Sequence, residues 1–264
     1  MEIYRTQNLH SLIRQTRLAV ADRFAEELNL ATGCQALDVG CGAGMMTVSL
    51  ARRGAIVHAM DRVPAMLEAA RKLADRERLS HRVTLSLGDA KHLPFRSESV
   101  DLVVALGLIG WIPSPKAALS EMTRVLKPGA WMIASTGNAR RMSFLFDPLE
   151  NPFLAPLRKK LKMWFSGAAG DRVRREHLSF TLSRRLVVMH QYGDSESRRL
   201  MELHGLRRIR SSTCGFGPFT FLRTPLVPQG WDVRSHLRLQ RMADLGVPGL
   251  RSGGSERVTL LQSQ

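Results

Sequence analysis

Ala36-Leu37-Asp38-Val39-Gly40-Cys41-Gly42-Ala43-Gly44 is the stretch whose reading decides the fold. A short apolar run enters a turn with three glycines at alternate positions, and residues 45–53 then carry the spacing of a helix. In a parallel α/β domain this strand–turn–helix brings backbone amides up to a nucleotide-like ligand. The third glycine falls one place earlier than in the G-x-G-x-x-G dinucleotide fingerprint. Asp38, directly before the turn, suits a cationic group better than a pyrophosphate.

Working outward, residues 9–28 have helical spacing of apolar positions and predict one or two N-terminal helices, ended at Gly33. Downstream, strands are expected at 56–60, 83–87, 100–106 and 130–135. Helices are expected at 64–74, with Pro64 in its first turn, and at 115–126, stopped by Lys127-Pro128-Gly129. Such alternation predicts an α/β fold, a doubly wound, mostly parallel sheet, with the ligand outside the carboxyl ends of the strands where their order reverses. After Asn138 the alternation stops. Residues 139–193 form a basic insertion. Residues 194–264 complete the sheet through a helix at 195–204, strands at 206–213 and 257–262, and an inserted helix at 232–245. One domain over 1–264 is expected, with N-terminal helices in 1–34 and a cofactor-binding core in 35–138.

The composition narrows the classes. The 264 residues are 44% apolar and hold no run of the roughly 18 apolar residues that a membrane span needs. The first residues show no apolar signal-peptide core. Cys34, Cys41 and Cys214 have no metal-ligand spacing, so reduced thiols, a cytoplasmic chain and no metal are expected. The net charge is +16, unevenly placed. Residues 1–138 carry 17 Lys and Arg against 13 Asp and Glu, and residues 139–264 carry 22 against 10. A basic second half implies an anionic partner, whether nucleic acid, a membrane surface or a phosphorylated substrate, or else a merely solvated surface.

Two further carboxylates follow strand ends. Asp61 lies about 20 residues past the glycines, where an acid accepts hydrogen bonds from ribose hydroxyls; its alternative role is a helix cap. Asp89, in Gly88-Asp89-Ala90, is placed to accept from an adenine amino group, with the Ala90 amide donating to the ring. Together these blocks resemble the class I S-adenosylmethionine-dependent methyltransferases. The match runs through Leu37–Gly44, Ala59-Met60-Asp61, Gly88-Asp89-Ala90-Lys91-His92-Leu93-Pro94-Phe95, Ser99-Val100-Asp101-Leu102-Val103-Val104 and Glu121–Gly129. The arrangement is similar to the branch containing quinone-biosynthesis and small-molecule methyltransferases.

The resemblance implies a seven-stranded Rossmann-like sheet and S-adenosyl-L-methionine as cofactor. It implies Gly40, Cys41 and Gly42 against its methionine part, Asp38 near its amino group, Asp61 on the ribose and Asp89-Ala90 at the adenine. Arg62 and Leu106 would line the site.

The acceptor is expected to be a small or lipid-linked molecule, with oxygen the favoured atom and carbon or nitrogen open. No general base stands out; His190 and Tyr192 are the catalytic candidates, with His81 and His92 behind them. The segment Gly107–Pro113, containing Trp111, lacks the Asn/Asp-Pro-Pro-aromatic motif of base-amine methylases, and no cysteine near it could serve a base C5 methylase. Nucleic acid is therefore the less favoured substrate, with RNA methylation kept as an alternative. An NAD-type oxidoreductase and a non-catalytic cofactor-binding protein are alternatives of other classes. In 153–165, Leu154, Leu157, Leu161, Trp164 and Phe165 make one stripe flanked by basic residues, which predicts either a lid helix or contact with the inner, anionic face of a membrane.

Overall fold

The computed structural model describes residues 9–147, 151, 154, 156, 189–221, 224–226 and 231–264. The stripe at 153–165 thus lies almost wholly outside the described residues, as does most of the basic insertion.

Helix α1 (Leu9–Glu27) is one continuous helix and leads to β1 (Gln35–Val39). Then follow α2 (Met45–Arg52), β2 (Ile56–Asp61), α3 (Pro64–Arg76), β3 (Val83–Leu87), β4 (Val100–Ala105), α4 (Lys116–Val125) and β5 (Leu126–Asn138). Beyond these come α5 (Ser143–Phe146), β6 (Gln191–Tyr192), α6 (Asp194–Glu202) and β7 (Leu206–Cys214). The chain closes with β8 (Thr220–Phe221), β9 (Thr224–Pro225), α7 (Trp231–Asp244) and β10 (Glu256–Ser263).

The main sheet runs β3-β2-β1-β4-β5-β10-β7. Strands β1 to β5 are mutually parallel, and β10 is antiparallel to both β5 and β7. These seven strands are the expected open, doubly wound sheet. An eighth, the two-residue β6, adds to β5 from inside the segment expected to be pure insertion. It can approach because Gly110 and Gly137 leave room for Met189 and the His190 carbonyl; a Cβ on Gly110 would stand 2.8 Å from Met189.

Strand β5 starts earlier than the proline and glycine suggest. Its pairing with β4 jumps from Val100–Leu126 to Leu102–Trp131. Pro128, which has no N–H to give, is accommodated in that irregularity. Each face of the sheet has its own core. Leu37, Val39, Val103 and Ala105 point to α4 and α6, packing with Leu119, Met122 and Met201. Ala36, Leu102, Val104 and Ile133 point to α1 and α2, packing with Phe24, Met46 and Leu50. The alternation of period two along β4 thus buries both faces, as a parallel strand requires.

Candidate functional site

The strand order reverses between β1 and β4, and there the glycine turn is pinned. The Gly40 and Cys41 amides both donate to the Met60 carbonyl at the end of β2, at 2.8 and 3.0 Å. Gly44 donates to the Cys41 carbonyl and opens α2. The glycines do different work. Gly44 has φ +78°, and a Cβ there would meet the Ala70 Cβ of α3 at 2.8 Å, so its glycine serves close helix packing. Gly42 has φ +53°, and a Cβ there would meet nothing within 4 Å. That open space in front of backbone amides is room for a ligand.

Two cavities meet over Gly40. One, of about 270 Å³, is bounded by Asp38, Gly40, Cys41, Gly42 and Leu106, and on its far wall by residues of α1. The other, of about 200 Å³, is bounded by Asp61, Arg62, Asp89, Ala90, Leu108 and Trp111. All nine residues expected around the cofactor therefore line one cavity or the other. His190 and Tyr192 line neither. Tyr192 is buried in the α4-side core, and burial raises its phenol pKa. The exposed His190 ring packs edge-on against it at 4.5 Å, with Nε2 3.7 Å from Glu196. His92 turns back to bridge Asp89, and His81 lies in a short 3-10 turn before β3.

Asp38 is 2% exposed. The Thr47 hydroxyl donates to its Oδ2 at 2.6 Å. Burial, and after it the neighbouring Asp61, raise its pKa to about 6. A buried carboxyl held at that edge gains from a cation in the adjoining cavity. Asp61 organises the turn: its Oδ2 accepts from the Gly42 amide and its Oδ1 from the Val63 amide, both at 2.9 Å. It is therefore not the cap of α3, whose N-terminal flanking residue is Val63. Asp89 Oδ1 accepts from the Lys91 amide at 3.0 Å, and its Oδ2 is 4.0 Å from Arg62. The segment beyond it is clamped by α4. Glu121 accepts from the Leu93 amide, while Arg124 donates to Glu121 and to the Leu93 and Phe95 carbonyls. Arg124 holds the Glu121 carboxyl down at about 2.

Helix α1 is the wall that sequence reasoning missed. Arg14, Gln15, Arg17 and Leu18 face the first cavity. Arg17 Nη1 lies 2.9 Å from Glu256 on β10 and fills the space left by Gly107, where a Cβ would stand 2.6 Å away. The i, i+3 pair Arg14 and Arg17 was visible as two cations on one helical face. The partner of Arg17, 239 residues away, was not.

Residues 37–134 match the methyltransferase domain family. That match covers the strands and helices from β1 to β5 and the glycine turn with its three carboxylates. Among similar curated proteins, Methyltransferase GfsG of Streptomyces halstedii is 37% identical over 111 residues, 42% of this chain and 40% of that protein. Ubiquinone biosynthesis O-methyltransferase of Hahella chejuensis is 36% identical over 127 residues, 47% of this chain and 51% of that protein. The chain thus matches about half the length of these relatives or less. Magnesium protoporphyrin IX methyltransferase of Synechocystis, solved with S-adenosylmethionine, superposes with a TM-score of 0.58 at 14% identity. That match covers 97% of this chain and 82% of the other, and shows the shared fold. Among the described residues no helix is long and apolar enough to cross a membrane, and no cluster of His, Cys, Asp and Glu is arranged to hold a metal.

Proposed function

We propose that this protein binds S-adenosylmethionine across the two cavities and transfers its methyl group to a small or lipid-linked acceptor, with oxygen the favoured atom. The observation that carries the reading is the placement of three carboxylates around one glycine turn. Asp38 stands on β1, Asp61 at the end of β2 and Asp89 just past β3, all at the carboxyl edge of adjacent strands. The residues fit the cofactor. Asp38 offers a buried carboxylate to an amino group, and the open space at Gly42 admits the chain that carries it. Asp61 retains lone pairs for two ribose hydroxyls beyond the two amides it accepts from. Asp89 and the Ala90 amide flank the second cavity, where Leu108 and Ile112 offer apolar surface to a ring.

When bound, S-adenosylmethionine supplies a methyl group on a sulfonium centre. The protein's part is positional. The amides fixed by Met60 and Asp61 hold the turn, and α1 walls the cavity on its far side, so that donor and acceptor meet in line. Leu18, Met45, Met46 and Leu106 give the first cavity an apolar lining suited to an aromatic or isoprenoid-bearing acceptor. The name of the Hahella relative points the same way, to a quinone-type hydroxyl.

Incubation with methyl-labelled cofactor and a cell extract, followed by separation of lipid, small-molecule and RNA pools, tests the acceptor. Label in the lipid or small-molecule pool is expected, and label confined to RNA would overturn this acceptor class. Thermal protection by S-adenosylhomocysteine is expected, and protection by NAD instead would overturn the cofactor assignment.

A further inference from the structure

Helix α7 is amphipathic in the reverse sense. Its inward face carries two buried polar side chains beside the small Ala243. His236 is fully buried, with Nε2 3.0 Å from the Thr16 hydroxyl of α1 and Nδ1 accepting from the Phe216 amide at 3.0 Å. Gln240, 6% exposed, accepts from the Gly215 amide and donates to the Thr213 carbonyl. Its outward face is apolar and basic. Trp231, Leu237, Met242 and Leu245, just past its end, are 56%, 46%, 42% and 84% exposed. Arg234, Arg238 and Arg241 are exposed between them. At 100° per residue these seven side chains fall within an arc of roughly 140°. None of the three guanidiniums is ion-paired among the described residues, and Arg234 stacks over Trp231 with its carbon 5.7 Å from the ring centroid. Asp244, at the margin of the arc, receives a hydrogen bond from Gln240 at 3.1 Å.

A helix that packs its polar residues inward and leaves large apolar residues among arginines outward is not stabilising its own fold by that outer face. The basic face continues past Leu245 into a groove of about 570 Å³ along the outer edge of β7. Arg23 and Arg251 line it without a carboxylate partner among the described residues. Arg198, Arg208 and Arg210 line it with theirs, Glu202, Asp194 and Glu27.

We propose that the outer face of α7 docks the protein on an anionic phospholipid surface. Charge complementarity selects the occupant: arginines pair with lipid phosphates, while Trp231, Leu237, Met242 and Leu245 enter the boundary between headgroups and acyl chains. The face lies one helix away from the first cavity, because α7 packs on α1 through Thr16 and α1 walls that cavity. Docking there brings a membrane beside the site. It makes no use of the methyl acceptor, so it stands or falls separately from the proposed reaction.

Co-sedimentation with phosphatidylglycerol and phosphatidylcholine vesicles tests this. Binding to phosphatidylglycerol alone, weakening with salt, is expected. The triple reversal Arg234→Glu, Arg238→Glu and Arg241→Glu should reduce it at least ~50-fold. Leu237→Ser with Leu245→Ser should reduce it about tenfold. Both variants should keep the unfolding midpoint and the S-adenosylhomocysteine affinity of the parent, which separates lost docking from lost folding. No vesicle binding by the parent, or equal binding by both variants, overturns the proposal. So does a dimer by sedimentation equilibrium that the leucine variant dissolves in the absence of any vesicle binding. Loss in the arginine variant with full binding in the leucine variant also overturns it, since that is the signature of plain electrostatic adhesion to any polyanion.

Discussion

Asp38 and His236 are both buried polar side chains, one in each half of the molecule, and they are used in opposite ways. His236 has a partner at each ring nitrogen, joining α1, α7 and the Phe216 loop. Asp38 has Thr47 on one side and a cavity on the other. A buried polar group with all its partners inside the protein holds structure together. One left facing an open cavity is placed for something that arrives later. Truncation should therefore cost folding in the second half and ligand affinity in the first.

The largest effect is expected from His236→Ala. It leaves the Phe216 amide and the Thr16 hydroxyl without this partner in a site closed to water, a loss of about 3 kcal/mol of stability. Denaturant unfolding checks it, and S-adenosylhomocysteine affinity should change little. Burial lowers the pKa of the same imidazole below its ordinary 6.5. The unfolded chain therefore takes up the proton more readily, and stability should fall as pH drops below 6.5, less so in His236→Gln. A His236→Ala protein as stable as the parent would erase the comparison.

Next is Asp61→Ala. Losing two charged acceptor sites for ribose hydroxyls should weaken S-adenosylhomocysteine binding about 100-fold by calorimetry. The stability cost, from freeing the Gly42 and Val63 amides, should stay smaller. Unchanged affinity would remove the ribose assignment.

The pH profile of binding sharpens the role of Asp38. With its pKa raised to about 6, the carboxyl is neutral below that pH and cannot pair with an ammonium. Affinity should fall about tenfold per pH unit below 6 and level off above it. Asp38→Asn should bind weakly and flatten the profile. Because the folded pKa lies above the unfolded one, Asp38 by itself contributes a loss of stability as pH rises from 4 to 6, opposite in sign to the contribution of His236, and Asp38→Asn should remove that contribution.

The smallest effect is expected at Arg62. Its side chain is 73% exposed and its contact with Asp89 is 4.0 Å long. Arg62→Ala should change stability by less than ~0.5 kcal/mol. Any measurable loss of S-adenosylhomocysteine affinity would then belong to the cavity it lines.

The first half was legible because its signals are local. Gly40, Gly42 and Gly44 each have a left-handed backbone within a few residues of a strand end, and β1, β2 and β4 announce themselves by mostly apolar runs. The second half was less so. The short β6 is too brief to carry a period, and it exists because Gly110 and Gly137 leave space for Met189. Of the catalytic candidates His190 and Tyr192, the fold commits Tyr192 to the core and leaves His190 exposed beside it. The basic face that the sequence suggested at 153–165 has a counterpart on α7 that periodicity did not single out. An apolar residue on a helix looks the same in sequence whether it faces a core or water.

The sequence alone therefore determined the alternation of strands and helices through β5 and the carboxylates around the glycine turn, since strand alternation and turn chemistry are set by neighbours in the chain. Only the tertiary structure decided which groups those carboxylates meet, that α1 walls the cavity through Arg17 and Glu256, and which way α7 faces. Those facts depend on contacts between residues as many as 239 positions apart, and no local period encodes them.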